Sequence, residues 1–480
     1  MLVGAALRIN LLTDSRFHPD EALFAALGRL IVSGQDPLLQ HTSLLVDKPP
    51  LFYLLLASGI SINWGAELSA RLPGLFASIV SLALASRVAA RLWHSDYSAI
   101  LAAALIALSP FAIQFSPTVF ADPIMVMWVL AALAAVTEGR WVWAGILVGC
   151  AAATKQSGLI FLPLVAAQGL IQQADPRQRP MDVLRCLGKW AAGLGVVLTL
   201  VAIWVAVRAA PVTFWQAGIA ANDPGRFVRV AEVGSRLLGW ANWLGHITAS
   251  FWLNIVLAVW IVGATLWLIM RRSAQRSTAH SVTLLAFLVA YLGMIWLVAF
   301  PLLDRYLLPV VVLCLMAAGG LAGEALRATG RRRIVIAISA LLALAMIPQA
   351  VRAAQGAYPI GGDHGQYDGI EEIAAVLGDL PEGSVVYYST LGWPLTYYLF
   401  DSPVYLASVD SGRALADDLK AFARDDPETV RVLVVPGWES QEELLGPTLR
   451  AGFVAEPLRV IANRRGLPSF IVYRIRLAQD

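Results

Sequence analysis

A short polar stretch, residues 17–50, holds the side chains of this 480-residue chain that are best suited to chemistry. It opens with Asp20 and Glu21, closes with Asp47 and Lys48, and is followed by long apolar segments. A charged group at bilayer depth costs several kcal/mol or more, so it persists mainly where it has a function. Carboxylates can orient or deprotonate a hydroxyl group, and a lysine can bind a phosphate. We therefore interpret this stretch as the start of an active site.

Three further ionisable side chains lie at the edges of apolar segments. Asp122 precedes Pro123 at the start of a predicted helix, which suits a helix cap and a catalytic carboxylate equally well. Lys155 lies between two apolar segments, where snorkelling to the surface is a sufficient explanation by itself. Arg305 could pair with Asp304, or its fork of donors could bind a phosphate. All three are candidate site residues.

The composition excludes an ordinary soluble protein. The chain is 58% hydrophobic and 14% charged, whereas a soluble domain is about 45–50% apolar and about 25% charged. The net charge of +3 hides an asymmetry, because residues 1–352 carry 26 Lys/Arg and 15 Asp/Glu, and residues 353–480 carry 10 and 18. We therefore predict an α-helical polytopic membrane domain over residues 1–352 and a small soluble α/β domain over residues 353–480.

Apolar segments along the chain predict about eleven membrane helices. The first, residues 1–12, is shorter than the roughly 20 residues that a span needs, and we expect that its beginning is missing. A run at 51–64 would reach about 21 Å as a helix, short of the roughly 30 Å hydrocarbon core. The other predicted spans are residues 68–92, 96–115, 122–137, 141–156, 158–173, 188–208, 248–270, 281–300, 307–327 and 334–350.

The charges of the connecting loops predict the orientation of these helices. If residues 51–64 lie in the membrane interface, the arginine-rich loops all fall on one side, which the positive-inside rule makes cytoplasmic. If 51–64 spanned, every basic loop would face outward. We therefore predict a protein of the plasma (inner) membrane, with interfacial helices in an outer catalytic loop, residues 13–67. The outer face would carry the C-terminal domain together with Asp20, Lys48, Asp122, Lys155 and Arg305.

Charged residues gathered at one membrane face suit a lipid-phosphate substrate. Its polyprenyl chain would dissolve in the bilayer, its phosphate would meet Lys or Arg, and a carboxylate would activate an acceptor hydroxyl. The alternative is a transporter of lipid-linked glycans, for which we would expect internal repeats and ionisable residues near the midplane. The sequence shows no such repeat, and its charges cluster at one face, which favours an enzyme. A non-catalytic scaffold would leave these charges without an explanation.

A series of short motifs runs through about residues 8–310. The motifs are Pro19-Asp20-Glu21, Asp47-Lys48-Pro49-Pro50-Leu51, Gly65-Ala66-Glu67, Ala70-Arg71-Leu72-Pro73, Arg91-Leu92-Trp93, Ala121-Asp122-Pro123, Thr154-Lys155, Arg226-Phe227 and Arg305-Tyr306-Leu307-Leu308-Pro309. A single piece such as Lys-Pro-Pro is a weak signal, but the ordered set is specific. In order and spacing the set resembles the C-type membrane glycosyltransferase superfamily, in the group of protein O-mannosyltransferases and the lipid A aminoarabinose transferase.

The resemblance implies a polyprenyl- or dolichyl-phosphate sugar donor and transfer of a hexosyl or pentosyl group with inversion on the non-cytoplasmic face. Asp20 matches the essential aspartate of the first loop, which acts as base or orients the acceptor. Glu21 is its neighbour in the motif, and Asp122 matches the second acidic position. Lys48 and Arg305 match positions that hold the donor phosphate, and Lys155 is a weaker candidate for the same role.

Two departures from the family pattern and several open points accompany this resemblance. Gln156 stands where the family usually has Gly, and Asn222 to Gly225 stand where it often has a histidine. The acceptor could be a lipid, a glycan or a protein, and we expect membrane lipids but no nucleic acid as partners. No metal site is evident in the sequence and we predict no certain cofactor, although Asp20, Glu21 and Asp122 could together bind a divalent ion.

The acidic C-terminal part shows the alternating pattern of an α/β domain. Strand-like runs at residues 385–389, 403–407, 432–435, 453–461 and 470–475 alternate with helical patterns at 368–378, 413–424 and 439–451. The sequence 361–365 is rich in glycine and predicts a linker turn rather than a phosphate loop, because no strand precedes it. Nothing in this domain indicates a substrate, and we assign it no catalytic role.

Overall fold

The computed structural model is mostly helical, with one five-stranded sheet near the C-terminus. The described residues are 1–12, 16–63, 67–174, 179–222, 225–271, 275–329, 332–423, 426, 428–463 and 466–478. The motif residues Gly65 and Ala66 and the residues Asp223 and Pro224 lie outside them. The chain forms two compact units: a helical unit, Met1–Asp14 with Leu30–Gly361, and a sheet unit, Ser15–Arg29 with Gly362–Asp480.

Among the described residues, sixteen helices precede the C-terminal part of the chain, of which α2 begins in the sheet unit and ends in the helical unit. They are α1 (Leu2–Ile9), α2 (Pro19–Val32), α3 (Pro50–Ile60), α4 (Glu67–Trp93), α5 (Asp96–Leu108), α6 (Pro110–Gln114), α7 (Ala121–Thr137), α8 (Trp141–Thr154), α9 (Leu162–Gln173), α10 (Pro180–Arg208), α11 (Phe214–Asn222), α12 (Val233–Gly245), α13 (Phe251–Arg271), α14 (Gln275–Leu297), α15 (Leu308–Thr329) and α16 (Arg332–Ala353). Short 3-10 helices lie at Gln156–Phe161, Val230–Glu232 and Asp304–Leu307.

Six helices of the described chain are long and apolar enough to cross a membrane: α4, α10, α13, α14, α15 and α16. The apolar helices α3, α5, α7 and α8 are shorter. Each of the ten downstream segments predicted from hydropathy coincides with one of these helices, with α9, or with α5 and α6 in succession. These features are those of a membrane protein, and the total of about eleven spans stays a prediction.

The helical unit is built around α15, which is apolar on all sides and buried along most of its length. α15 packs against α5 and α4, α4 packs against α7, and α8 packs against both α7 and α10. A helix that is hydrophobic all round belongs in an interior. The motif residues Arg71, Asp122 and Arg305 lie at or just before the starts of α4, α7 and α15.

Arg8 of α1 is fully buried within this helical unit. Its guanidinium donates to the Ser78 hydroxyl at 3.0 Å and to the carbonyl oxygens of Gly4, Ile106 and Ala107 at 2.9, 3.1 and 3.2 Å. Carbonyl and hydroxyl oxygens therefore replace the water that the charge loses on burial. The arginine joins α1 to α4 and to the end of α5.

The sheet unit contains helices on both faces of a mixed sheet. Its elements are α17 (Ile370–Gly378), β1 (Val385–Tyr388), α18 (Gly392–Tyr398), β2 (Tyr405–Ser408), α19 (Gly412–Phe422), β3 (Arg431–Pro436), α20 (Gln441–Arg450), β4 (Phe453–Ala462) and β5 (Pro468–Leu477). The strand order is β2-β1-β3-β5-β4; β1 is parallel to β2 and β3, and β5 is antiparallel to β3 and β4. This is the small α/β domain that the sequence predicted.

The central strand β3 explains why the sheet needs helices on both sides. Val432 and Val434 pack into one apolar cluster with α17 and α18, and Leu433 and Val435 pack into the other with α19 and α20. Successive side chains of a strand point to opposite faces, so a strand buried on both faces has a continuous apolar sequence.

A segment of the first loop, Ser15–Arg29, packs within the sheet unit. The Arg29 guanidinium donates to the Tyr397 carbonyl oxygen at 2.8 Å and pairs with Asp401 at 2.6 Å, and it lies 4.5 Å from the Phe400 ring centroid. The Phe17 ring meets Tyr397 edge-on, with centroids 4.9 Å apart. The predicted membrane domain includes all of residues 13–67, whereas Phe17 and Arg29 find their partners in and beside α18 of the sheet unit.

The crossing of α8 and α10 generates a prediction about stability. A Cβ atom built on Gly193 would lie 2.1 Å from the Val142 carbonyl oxygen, and one on Gly145 would lie 2.0 Å from that of Trp190. We expect Gly193→Ala to force the helices apart at a cost of about 1–3 kcal/mol, because small residues permit such close approach. The measurement is the melting temperature of the purified protein in detergent.

The matched control is Gly195→Ala in the same helix, where an added Cβ meets no atom within 4 Å. Alanine is favoured over glycine in a helix by roughly 0.5–1 kcal/mol, so this variant should melt at or above the wild-type temperature. Equal melting temperatures for the two variants would contradict the close packing of α8 on α10.

Candidate active site

A buried ion pair lies where α7 begins and α8 ends. Lys155, the residue after α8, places its Nζ atom 2.6 Å from Oδ1 of Asp122, the second residue of α7. The two residues are only 6% and 2% exposed. α7 starts here because Pro123 fits the first turn of a helix, where its missing N–H is not needed. Lys155 therefore does not snorkel to the surface but meets a carboxylate inside the helical unit.

Arg305 and Tyr306 belong to the 3-10 helix that precedes α15. The Arg305 guanidinium lies 4.9 Å from the centroid of the Phe120 ring, and the Lys155 ammonium lies 4.7 Å from that of Tyr306. Asp304 holds this turn, since its carboxylate accepts the N–H groups of Arg305 at 2.7 Å and of Gly361 at 2.9 Å. Arg305 is thus placed one helical turn from the buried α15 and beside the residue preceding α7.

Lys48 lies in the loop before α3 and forms a buried ion pair with Asp47. Its backbone N–H donates to the Tyr53 hydroxyl at 3.1 Å, and Tyr53 is fully buried in α3. The Asp47 carbonyl oxygen accepts a hydrogen bond of 2.6 Å from Nε2 of Gln156. Because Gln156 directly follows Lys155, this bond joins the Lys48 loop to the end of α8.

Four of the six predicted site residues are therefore gathered in the helical unit. The charges of Asp122, Arg305 and Lys48 all act on the Lys155 ammonium. We call Lys48, Asp122, Lys155 and Arg305, together with Asp47, the cationic cluster. It contains three positive groups and two carboxylates, which leaves a formal excess of one positive charge in an apolar setting.

Sequence reasoning missed the positioning residues of this cluster. Gln156 also donates to the Phe214 carbonyl oxygen at 3.3 Å, and the Tyr306 hydroxyl donates to Oδ1 of Asn222 at 2.7 Å. Gln156 and Asn222 both stand where the sequence departs from the family pattern, and these departures were the only sign in the sequence that the two positions matter. Asp47 was noted with Lys48 but given no role, and its Oδ1 atom is buried without a hydrogen-bond partner in the described part of the chain.

Asp20 and Glu21, the other two predicted residues, lie in the sheet unit at the start of α2. Glu21 is fully buried, and its carboxylate accepts the His18 N–H at 3.0 Å, as in a helix cap. The Asp20 N–H donates to Nδ1 of His18 at 3.2 Å. Asp20 itself is half-buried and its functional role stays a prediction, as does that of Glu21.

The surroundings of Asp20 in the sheet unit are acidic and aromatic. Burial raises the pKa of Tyr367 to about 12, and the charges of Asp363, Glu439 and Asp20 add to the increase. The Tyr367 ring meets Trp438 at a centroid distance of 5.4 Å. Asp20 therefore lies close enough to this aromatic pair for its charge to affect the phenol.

Two other expectations concern residues outside the cluster. Arg226 of the Arg-Phe motif is exposed and pairs with Glu232 at 2.7 Å. Among the described residues, no group of three or more His, Cys, Asp and Glu side chains is placed to hold a metal ion. The three cysteines, Cys150, Cys186 and Cys314, are free thiols.

One family model and two solved structures are similar to this chain. The sequence model of the family described as dolichyl-phosphate-mannose-protein mannosyltransferase matches residues 47–206, which include Lys48, Asp122 and Lys155. The crystal structure of ArnT from Cupriavidus metallidurans in the apo state matches with a TM-score of 0.66 and 16% identity, over 98% of this chain and 96% of that chain. ArnT from the same organism bound to undecaprenyl phosphate matches with a TM-score of 0.66, 15% identity and the same coverage.

A search of curated proteins finds no match. At 15–16% identity, the likeness to ArnT is a likeness of fold. The matched family and the shared fold together confirm the resemblance that the motifs predicted, to the C-type membrane glycosyltransferases in the group of protein O-mannosyltransferases and the aminoarabinose transferase ArnT.

Proposed function

We propose that this chain is an inverting glycosyltransferase that moves a sugar from a polyprenyl-phosphate donor to a lipid, glycan or protein acceptor. The observation that carries the proposal is the cationic cluster, which gathers three basic side chains from distant parts of the sequence inside an apolar unit. The undecaprenyl phosphate bound to ArnT, a protein of the same fold, supports a donor of this chemical class.

The positive charge of the cluster would stabilise the negative charge that develops on the leaving lipid phosphate. When the bond between the sugar C1 and the phosphate oxygen breaks, the oxygen keeps the electron pair and the lipid phosphate gains negative charge. Lys48, Lys155 and Arg305 would stabilise this charge, and fixed charges act more strongly where water is excluded. Asp122 would hold the Lys155 ammonium in place before the donor binds.

The acceptor would be activated by Asp20. Its carboxylate would take the proton of the acceptor nucleophile while the nucleophile attacks C1 from the side opposite the phosphate, which inverts the anomeric configuration. Glu21 lies in the first turn of α2, and its carboxylate fixes the local backbone by accepting the His18 N–H. In this proposal Glu21 supports Asp20, and Asp122 serves the donor side.

The proposed location is the plasma (inner) membrane, with about eleven spans and with the reaction and the sheet unit on the outer face. The loop charges support this orientation through the positive-inside rule, and the apolar helices support the membrane location. Lipid chains would then reach the cluster laterally from the bilayer, whereas the acceptor would come from the outer side.

Replacing Asp20 tests the proposed reaction. We expect Asp20→Asn to keep the donor bound but to reduce transfer at least about 100-fold, the range typical for a lost general base. The measurement is release of polyprenyl phosphate from a panel of labelled polyprenyl-phosphate sugars, incubated with membranes that contain the protein. Asp417→Asn, at an exposed position of α19, serves as the control and should keep full activity; near wild-type transfer by folded Asp20→Asn would remove the proposed role.

Replacing two basic residues tests the donor site. We expect a polyprenyl phosphate, or its sugar conjugate, to co-purify with the wild-type protein and to be lost from Lys48→Ala/Arg305→Ala, because the phosphate loses two of its three cations. Native mass spectrometry with lipid extraction measures this. Arg185→Ala/Lys189→Ala, on the exposed part of α10, is the charge-matched control. If no polyprenyl species binds even after donors are added, the transporter becomes the better hypothesis.

Variants of the buried Asp122–Lys155 ion pair separate its effect on stability from its effect on sugar transfer. We expect Asp122→Asn alone to destabilise the protein by about 3–5 kcal/mol, because it leaves the Lys155 charge buried and uncompensated. Asp122→Asn/Lys155→Met should recover most of that stability, since neither charge remains, but not the transfer activity. Melting temperature and transfer rate are the two measurements. A double variant that recovers both would show that the pair is only structural.

A further inference from the structure

A second group of charges lies at the other end of α7, away from the cationic cluster. Glu138 follows α7, and its carboxylate lies 2.5 Å from the nearest guanidinium nitrogen of Arg87, 3.5 Å from that of Arg140 and 3.9 Å from that of Arg91. Arg87 and Arg91 occupy the last two turns of α4, and Arg140 begins the turn into α8. Three arginines thus converge on one carboxylate, which leaves a formal excess of two positive charges.

The burial of these side chains is unequal. The Glu138 side chain is 11% exposed, whereas those of Arg87, Arg91 and Arg140 are 55%, 54% and 65% exposed. The carboxylate therefore holds the Arg87 guanidinium directly and attracts those of Arg140 and Arg91, while more than half of each arginine side chain stays exposed. Guanidinium groups present several donors in a planar fork that matches phosphate oxygens.

An apolar groove adjoins this arginine group. It has a volume of about 320 Å³ and runs between α4, α7 and α8. Besides Arg87, Glu138 and Arg140, its walls are formed by Leu84, Ala131, Ala134, Ala135, Trp143 and Leu147. The alanines of α7 leave the groove open, and Trp143 is 60% exposed at its rim. Tryptophan at a rim between apolar and polar surroundings is typical of the membrane interface.

The position along the helix separates the groove from the proposed donor site. Asp122 lies in the first turn of α7 and Glu138 follows its last, and a helix of 17 residues is about 25 Å long. This distance is close to the thickness of a bilayer core, roughly 30 Å. The arginines also belong to the loops predicted to be cytoplasmic, so the groove would open at the inner leaflet.

We propose that Arg87, Arg91 and Arg140 around Glu138, with the adjoining groove, form a binding site for an anionic phospholipid of the inner leaflet. The phosphate would lie on the exposed guanidinium edges, and part of an acyl chain would lie along the alanine face of α7 under Trp143. Charge complementarity selects an anionic headgroup, and the apolar walls select a lipid over a free phosphate. Basic pockets between membrane helices at this face suit such headgroups. The site does not depend on the proposed transferase activity.

A lipid titration of the purified full-length protein tests this site. A ligand that binds only the folded state raises the melting temperature with its concentration. We expect phosphatidylglycerol, added to micelles of a neutral detergent, to raise the melting temperature, and phosphatidylcholine to have little effect. The increase should be lost in Arg87→Gln/Arg140→Gln and kept in Arg185→Gln/Lys189→Gln, which removes the same charge from the exposed part of α10.

A second variant keeps the test informative if Arg87→Gln/Arg140→Gln does not fold. Ala131→Leu would fill the groove and leave all three arginines in place, so we expect it to fold and to lose the response to phosphatidylglycerol. Native mass spectrometry should show one fewer tightly bound phosphatidylglycerol in each groove variant than in the wild type. An equal response of wild type and Ala131→Leu, or equal stabilisation by inorganic phosphate, would overturn the proposal.

Discussion

The buried ion pair between Asp122 and Lys155 is the interaction on which the candidate site depends. α7 and α8 follow one another and pack side by side, so the start of the first helix and the end of the second lie together. Removing two charges from water costs several kcal/mol per ion, and only close pairing and further hydrogen bonds repay that cost. Asp122 is thus the charge that allows Lys155 to lie near Lys48 and Arg305 inside an apolar unit. Asp122 and Glu138, at the two ends of the α7 segment, each neutralise part of a group of positive charges, since Glu138 also pairs with arginines.

The parts of the fold that depend on local sequence were predictable. The membrane helices follow from runs of apolar residues, and the strands follow from β-branched and aromatic runs between turns. The run predicted at 432–435, for example, is the centre of β3, because a strand covered on both faces has no polar positions. The convergence of Lys48, Asp122, Lys155 and Arg305 was also predictable, from loop charges and motif order. Their chemical roles follow only from the resemblance and stay predictions.

The features that sequence reasoning missed depend on contacts between distant residues. Arg29 meets Asp401 across more than 370 positions, and no local pattern in residues 15–29 indicates a partner there. Arg8 would count against a membrane helix by its charge, yet four oxygens from three helices surround it. Gln156 and Asn222 depart from the family pattern, and the contacts they make could not be predicted from it: Gln156 donates to the Asp47 carbonyl oxygen, and Asn222 accepts from the hydroxyl of Tyr306, the neighbour of Arg305. Arg8 and Gln156 bond mostly to backbone oxygens, which leave no trace in the residue types, and Arg29 and Asn222 bond to side chains that are distant in sequence.

The sheet unit is made from two pieces of chain that are produced at very different times. Residues 15–29 leave the ribosome long before their partners, which begin at Gly362. At about 5–20 residues per second, the intervening chain takes on the order of 20–70 s to appear. During this interval Phe17 and Arg29 lack the ring and carbonyl groups of Tyr397 that they contact in the finished fold. A chain interrupted before Gly362 would therefore carry every member of the cationic cluster while the segment that bears Asp20 still lacked its partners.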